Sequence, residues 1–282
     1  MVNNMELLDG KLLSNKIKDE IKMDSCSYKV TPILAVITIG YDKPSEIYVK
    51  NKRKMCEYCG ISMMHFDYVD FVKESVVIKK IKQLNKDKNV TGIIVQLPLP
   101  KGFDERRILN TINPIKDVDG LTDSSLGKLT VGNPTFVPCT AKGVLQLFDY
   151  YKIELENKNV VIIGRSNIVG KPLLLECLKR NANVSICHSK TTNLKKYTKN
   201  ADIIISCTGQ KHLINKTMVK NESVIIDVGI SKIGDKIYGD VNPNVCEKCS
   251  YLTPIIGGVG PMTVCSLLQN VMIAYKLQNE KN

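Results

Sequence analysis

The stretch Val160-Val161-Ile162-Ile163-Gly164-Arg165-Ser166-Asn167-Ile168-Val169-Gly170 decides the fold. Four consecutive apolar residues, two valines and two isoleucines, read as a strand buried on both faces. Gly164 ends the run and Gly170 follows. Lys171-Pro172-Leu173-Leu174-Leu175-Glu176 then reads as a helix with proline near its start. Strand, glycine turn and helix aim backbone N–H groups and a helix N-terminus at a phosphate. The spacing is not G-x-G-x-x-G, so the turn points to a nucleotide without specifying one. An ordinary tight turn is the alternative.

Working outward, strands and helical patterns alternate along the chain, which predicts an α/β fold with parallel sheets. Before the turn lie a strand Ile33–Ile39, a helix Lys43–Cys59 closed by Gly60, a weaker strand Ile61–Val69, a helix Val76–Leu84 and a buried strand Gly92–Leu97 stopped by Pro98 and Pro100. A loop-rich passage from Asn113 to Pro138 marks the expected domain boundary. Beyond it come a helix Ala141–Tyr150, strands Asn183–Cys187, Asp202–Ser206 and Val224–Asp227, a helix Leu194–Lys199 and a short strand Tyr238–Val241. A long amphipathic helix, Met262–Leu277, closes the pattern. The reading is two domains: residues 1–120, completed by the C-terminal helix at about 262–282, and residues 121–261.

A chain of 282 residues with 43% hydrophobic content is large enough for two packed cores. Its polar start carries no export pattern, and the run Ile33–Ile39 is too short to span a bilayer. The expectation is a soluble, cytoplasmic protein whose ten cysteines are reduced thiols. The net charge of +12 permits an anionic partner without choosing one: a lysine-rich soluble surface is the bland reading, a field that draws in a polyanionic small molecule the sharper. The lysines are spread along the chain without an aromatic or helical reading motif, so neither nucleic acid nor a membrane is the expected partner.

Several short constellations carry candidate chemistry. Tyr48 and Lys52, four apart on a helix, share one face and can present a phenol and an ammonium to one substrate; a solvated helix face is the bland alternative. Tyr-x-x-x-Lys is also the short-chain dehydrogenase signature, but there it follows the glycine turn, whereas here it precedes it by more than a hundred residues. Gln96 closes a buried strand, where parallel sheets place ligands; a satisfied strand-end amide is the alternative. Lys116-Asp117-Val118-Asp119-Gly120 sets two carboxylates in a loop, either solvated or gripping a ring N–H and amino group.

After the second strand of the nucleotide unit, an NAD enzyme places an acid for the ribose hydroxyls. This chain has Ser189 and Lys190 there, with Arg165 across the turn, donors suited to the 2′-phosphate of NADP. Gly257-Gly258-Val259-Gly260-Pro261-Met262-Thr263 allows close backbone approach, or serves as a hinge. Cys56/Cys59 and Cys246/Cys249 have zinc-knuckle spacing, but the first pair lies on a helix and most of the chain separates the two pairs, so no metal site is expected.

In this order the motifs resemble the bifunctional methylenetetrahydrofolate dehydrogenase/methenyltetrahydrofolate cyclohydrolase family. The resemblance rests on Ser45-x-x-Tyr48-Val49-x-Asn51-Lys52, Gly92 to Pro100, Lys116 to Gly120, Pro138-Cys139-Thr140, Gly164 to Pro172, His188 to Thr191, Asp227-Val228-Gly229-Ile230 and Gly257 to Thr263. Ile256 departs from the proline usual before those glycines.

The resemblance implies an N-terminal α/β catalytic domain and a C-terminal Rossmann-type parallel sheet with a cleft between them. It implies NADP-linked oxidation of 5,10-methylenetetrahydrofolate to the methenyl form, then hydrolysis to 10-formyltetrahydrofolate. Lys52 would serve the hydrolytic step, held by Gln96. Tyr48 would stack on the aminobenzoate ring and Asp119 grip the pterin. Val95, Leu97, Gly257, Gly258 and Pro261 would complete the substrate contacts. Arg165 and Ser189 would take the 2′-phosphate, while Thr140, Gly164, Ser166 and Ile230 line the cofactor. A homodimer in one-carbon metabolism and purine biosynthesis is implied as well. Two rivals stay open: an NADP-dependent dehydrogenase of another class, and a non-enzymatic folate or nucleotide sensor.

Overall fold

The structure is a computed structural model that describes residues 5–40 and 43–279, with the backbone alone for 43–48. The chain forms two compact units. One comprises Met1–Ser14 with Thr140–Thr263, the other Asn15–Cys139 with Val264–Asn282.

The nucleotide stretch lies in the first of these units. Its strands are β1 (Glu6–Leu7), β5 (Asn159–Ile163), β6 (Asn183–Cys187), β7 (Ile203–Ser206), β8 (Val224–Asp227) and β11 (Tyr251–Leu252). They form one all-parallel sheet in the order β1-β11-β8-β7-β5-β6. Val160–Ile163 and all of β7 and β8 are buried, as unbroken apolar runs require when both faces are covered. The order reverses between β5 and β7, so the loops after these two strands flank the topological switch point where open α/β sheets bind ligands. Helix α7 (Gly170–Lys179) follows the glycine turn. A hairpin of β9 (Ile230–Ile233) and β10 (Lys236–Gly239) pairs antiparallel beyond β8.

The other unit holds a three-stranded parallel sheet in the order β3-β2-β4: β2 (Ile33–Ile39), β3 (Ser62–Tyr68) and β4 (Val90–Val95). Central β2 is buried almost throughout and edge β3 alternates. Helix α2 (Lys43–Tyr58) and helix α3 (Glu74–Lys86) connect them. Val264–Asn279, the greater part of α9 (Val259–Asn279), belongs to this unit.

The units divide the chain elsewhere than between residues 120 and 121. Residues 121–139 stay with the lysine-bearing unit because Asp117 anchors them there. Residues 5–14 leave it because β1 adds to the large sheet beside β11. Three helices fall where none was expected. Helix α1 (Gly10–Ser25) carries the buried stripe Leu13, Ile17 and Ile21 among lysines and acids. The passage 113–138 contains α5 (Asp123–Thr130), capped by the Thr122 side chain accepting from the Ser125 amide. Short α4 (Glu105–Leu109) precedes it. The strand expected at Tyr238–Val241 forms at Lys236–Gly239, because its register is set by pairing with β9. Among the described residues no helix is long and apolar enough to cross a membrane.

Candidate active site

Strand β4 ends at Val95, and its neighbour β2 fixes what comes next: the Gln96 amide donates to the Ile37 carbonyl at 2.8 Å. That places the Gln96 side chain at the carboxyl end of a buried parallel sheet. Helix α2 supplies Lys52, whose Nζ donates to Gln96 Oε1 at 2.8 Å, while Gln96 Nε2 donates to the Leu97 carbonyl at 3.0 Å. The amide is thereby oriented, its oxygen turned to the amine.

Burial is the largest influence on Lys52 and pushes its pKa below the ordinary lysine value. The neighbouring Asp119, then the Cys139 and Cys56 sulfurs, act in the opposite sense. Burial likewise pushes Asp119 above the usual carboxylate range against the pull of Lys52 and a hydrogen bond with Cys139. Each group is driven toward its neutral form, the state in which an amine accepts a proton.

The two carboxylates of the 116–120 loop do different work. Asp117 is buried and accepts from the Gly120, Leu121 and Thr122 amides at 3.1, 3.2 and 2.8 Å, and from Ser125 Oγ at 2.6 Å. It is the knot of its loop. Asp119, two residues on, is the one that interacts with Lys52. We expect Asp117→Ala to leave those donors unpaired and cost about 3 kcal/mol. In a thermal melt this appears as a fall of roughly 6–12 °C.

Two partners of this site went unread in the sequence. Cys139 Sγ donates to the Val118 carbonyl at 3.4 Å. Asn270, fully buried on α9, donates to the Val118 and Val137 carbonyls at 2.9 and 3.1 Å and to Cys139 Sγ at 3.7 Å. Pro138-Cys139-Thr140 was visible as a motif, but Asn270 lies 151 residues from Asp119 inside an apolar helix and gives no local signal. The side chain of Tyr48 lies outside the described residues. Burial pushes the Cys56 and Cys59 thiols up to about 12 and about 11, which disfavours thiolates there. Among the described residues no group of three or more His, Cys, Asp or Glu side chains is disposed to hold a metal.

In the nucleotide unit, Gly164 stands at φ +123°, and a Cβ there would lie 2.5 Å from Cys207 Sγ. A Cβ on Gly170 would lie 2.1 Å from the Gly164 carbonyl oxygen. The two glycines let the start of α7 press against the turn after β5, leaving a cradle that a side chain would fill. Ser166 Oγ accepts from the Val169 amide at 3.2 Å and its carbonyl from the Lys171 amide at 3.0 Å. Arg165 is exposed and, among the described residues, pairs with no carboxylate.

Ser189 and Lys190 lie in a turn pinned at both ends. The Thr191 amide donates to the His188 carbonyl at 2.7 Å and the His188 amide to Thr191 Oγ1 at 2.9 Å, leaving both exposed. Because β5 and β6 are adjacent, Arg165 and Ser189 follow neighbouring strand ends. Thr140 Oγ1 accepts from Thr263 Oγ1 at 3.3 Å, and Ile230 opens β9 half exposed. The Gly257 carbonyl accepts from the Lys11 amide at 2.8 Å; Gly258 packs on the Pro254 carbonyl, and Pro261 is half-buried in the first turn of α9. Lys52, Gln96 and Asp119 are thus brought together in one unit. Gly257, Gly258, Pro261 and the six cofactor candidates belong to the other.

A doubly wound sheet with a phosphate-type turn at its switch point, joined in one chain to a unit carrying a desolvated lysine, defines the class of two-unit α/β nucleotide-binding proteins. Comparison with known proteins makes this particular. Residues 8–119 match the catalytic domain, and residues 138–279 the NAD(P)-binding domain, of tetrahydrofolate dehydrogenase/cyclohydrolase. The chain is 48% identical over 278 residues to the bifunctional protein FolD of Thermodesulfovibrio yellowstonii, covering 97% of each. It superposes with a TM-score of 0.94 on the bifunctional enzyme FolD, methylenetetrahydrofolate dehydrogenase/cyclohydrolase, from Campylobacter jejuni, at 44% identity and with 97% and 99% of the chains covered. The Trypanosoma brucei enzyme, solved with NADP cofactor and inhibitor, gives 0.93 at 32% identity, covering 97% and 98%. The chain belongs to the tetrahydrofolate dehydrogenase/cyclohydrolase family.

Proposed function

We propose that this chain oxidises 5,10-methylenetetrahydrofolate with NADP and hydrolyses the resulting 5,10-methenyl cation to 10-formyltetrahydrofolate. The observation that carries this reading is Lys52 donating to Gln96 Oε1 at 2.8 Å, with burial holding its pKa down.

NADP⁺ supplies the hydride acceptor. Gly164, Ser166, Thr140 and Ile230 would line it and Arg165 and Ser189 would hold its 2′-phosphate; the glycine cradle and the uncommitted guanidinium fit such a group. Hydride transfer asks the protein for position, not for a side-chain acid. Hydrolysis asks for a base. Water adds to the one-carbon bridge as the free amine of Lys52 takes its proton. The bond from that carbon to N5 then breaks, N5 gains a proton, and one proton is released overall. Gln96 fixes the amine, Asp119 grips the pterin, and Tyr48, Val95, Leu97, Gly257, Gly258 and Pro261 complete the substrate contacts.

NADPH absorbance with methylenetetrahydrofolate and NADP, followed by decay of the methenyl absorbance, tests both steps. Failure to form NADPH overturns the assignment. The proposal extends to a cytoplasmic homodimer serving purine biosynthesis, with a solution mass of two chains expected by light scattering.

A further inference from the structure

Behind the loops at the switch point lie two buried aspartates that no step above uses. Asp227 ends β8, and Asp240 directly follows β10. Asp240 is fully buried, and its carboxylate accepts four hydrogen bonds. Ser206 Oγ, the Thr208 amide and Thr208 Oγ1 donate to Oδ2 at 2.7, 2.7 and 2.9 Å, and the Gln210 amide donates to Oδ1 at 2.7 Å. Asp227 in turn accepts from the Asp240 and Val241 amides, each at 3.0 Å. Two glycines make room for the pair: a Cβ on Gly229 would lie 2.1 Å from Asp240 Oδ1, and one on Gly239 would lie 1.9 Å from Asp227 Oδ2.

These contacts converge on two loops. Residues 207–210 follow β7, where the Cys207 amide donates to the Ile163 carbonyl at 2.8 Å and its thiol packs against Gly164. Residues 228–230 follow β8, and the Val228 and Gly229 amides donate to the Ser206 carbonyl at 2.8 and 3.2 Å. A Cβ on Gly209 would stand 3.4 Å from the Ile230 carbonyl oxygen, so the loops meet. In a doubly wound sheet the first strands past the glycine turn serve the adenosine half of a dinucleotide. Those on the other side of the switch point, here β7 and β8, serve the second mononucleotide half.

We propose that Asp240, backed by Asp227, is a positioning residue for the nicotinamide half of the cofactor, fixing the 207–210 and 228–230 loops against which that ring rests. It makes no contact with the reacting atoms; it acts through Thr208, Gly209 and Ile230. The proposal rests on the NADP-linked reading above.

The test uses the full-length Asp240→Asn protein, in which an amide N–H₂ replaces one acceptor oxygen. Dehydrogenase kcat is expected to fall about tenfold and the isotope effect with deuterated methylenetetrahydrofolate to rise. The dissociation constant of NADP, from titration calorimetry, should change less than threefold, and cyclohydrolase activity on added methenyltetrahydrofolate should hold. Thr208→Val, which removes one hydroxyl donor, should show the same split in smaller measure. Dehydrogenase and cyclohydrolase falling together with the melting temperature in both variants would mean a merely structural role and overturn the proposal. So would wild-type kcat in Asp240→Asn. A parent protein that forms no NADPH overturns the functional reading, and this inference with it.

Discussion

Lys52→Gln is expected to slow the hydrolytic step by roughly 10²- to 10⁴-fold while leaving measurable hydride transfer. On the proposed mechanism, water attacking the one-carbon bridge must lose a proton, and the group assigned to receive it is an amine that burial has already pushed toward its free-base form. A glutamine amide accepts no proton at any working pH. General-base catalysis of this kind is worth roughly 10²- to 10⁴-fold, and that is the loss expected in methenyltetrahydrofolate hydrolysis.

The pH profile carries a sign. In the proposed mechanism Lys52 works deprotonated, so hydrolysis should rise with pH through its lowered pKa, and that limb should vanish in Lys52→Gln. The bound methenyl cation lowers the pKa further, since like charges disfavour the ammonium. Wild-type hydrolysis by the variant would remove Lys52 from the mechanism.

Arg165→Ala should raise the Michaelis constant for NADP by roughly 10- to 100-fold, the worth of one or two charge-assisted contacts to a phosphate. The Michaelis constant for NAD should move less than about twofold, because NAD lacks the group the guanidinium would grip. The structure leaves Arg165 exposed after β5, the strand adjacent to the one that leads to Ser189, without a carboxylate partner among the described residues. Equal effects on the two nucleotides would place the 2′-phosphate elsewhere.

Much of this was legible in the chain because it is written locally. The run Val160–Ile163 and its glycine turn form the strand and turn they spell, and Asn183–Cys187 and Val224–Asp227 match their strands residue for residue. Lys52 and Gln96 were legible as types in a family pattern; their contact was not, since 44 residues separate them. Asp117 and Asp119 show the limit most sharply. Two identical side chains two residues apart divide into a loop knot and a partner of the amine, and only the folded backbone decides which is which. Helix α1 escaped because a stripe of three buried aliphatics is diluted by lysines and acids on its other faces. Asp240 escaped because its four donors come from a different strand and loop, and in sequence it is one acid after a short strand.

The interleaving of the two units bears on how this protein is made. The carbonyls of Val118 and Val137, on either side of the Asp119 loop, are tied to Asn270 of the last helix. Along the chain, residues 15–139 of the lysine-bearing unit precede residues 140–263 of the nucleotide unit, and Val264–Asn279 follow them. Most of the nucleotide sheet is therefore synthesised before the lysine-bearing unit receives the α9 segment whose Asn270 ties its loops.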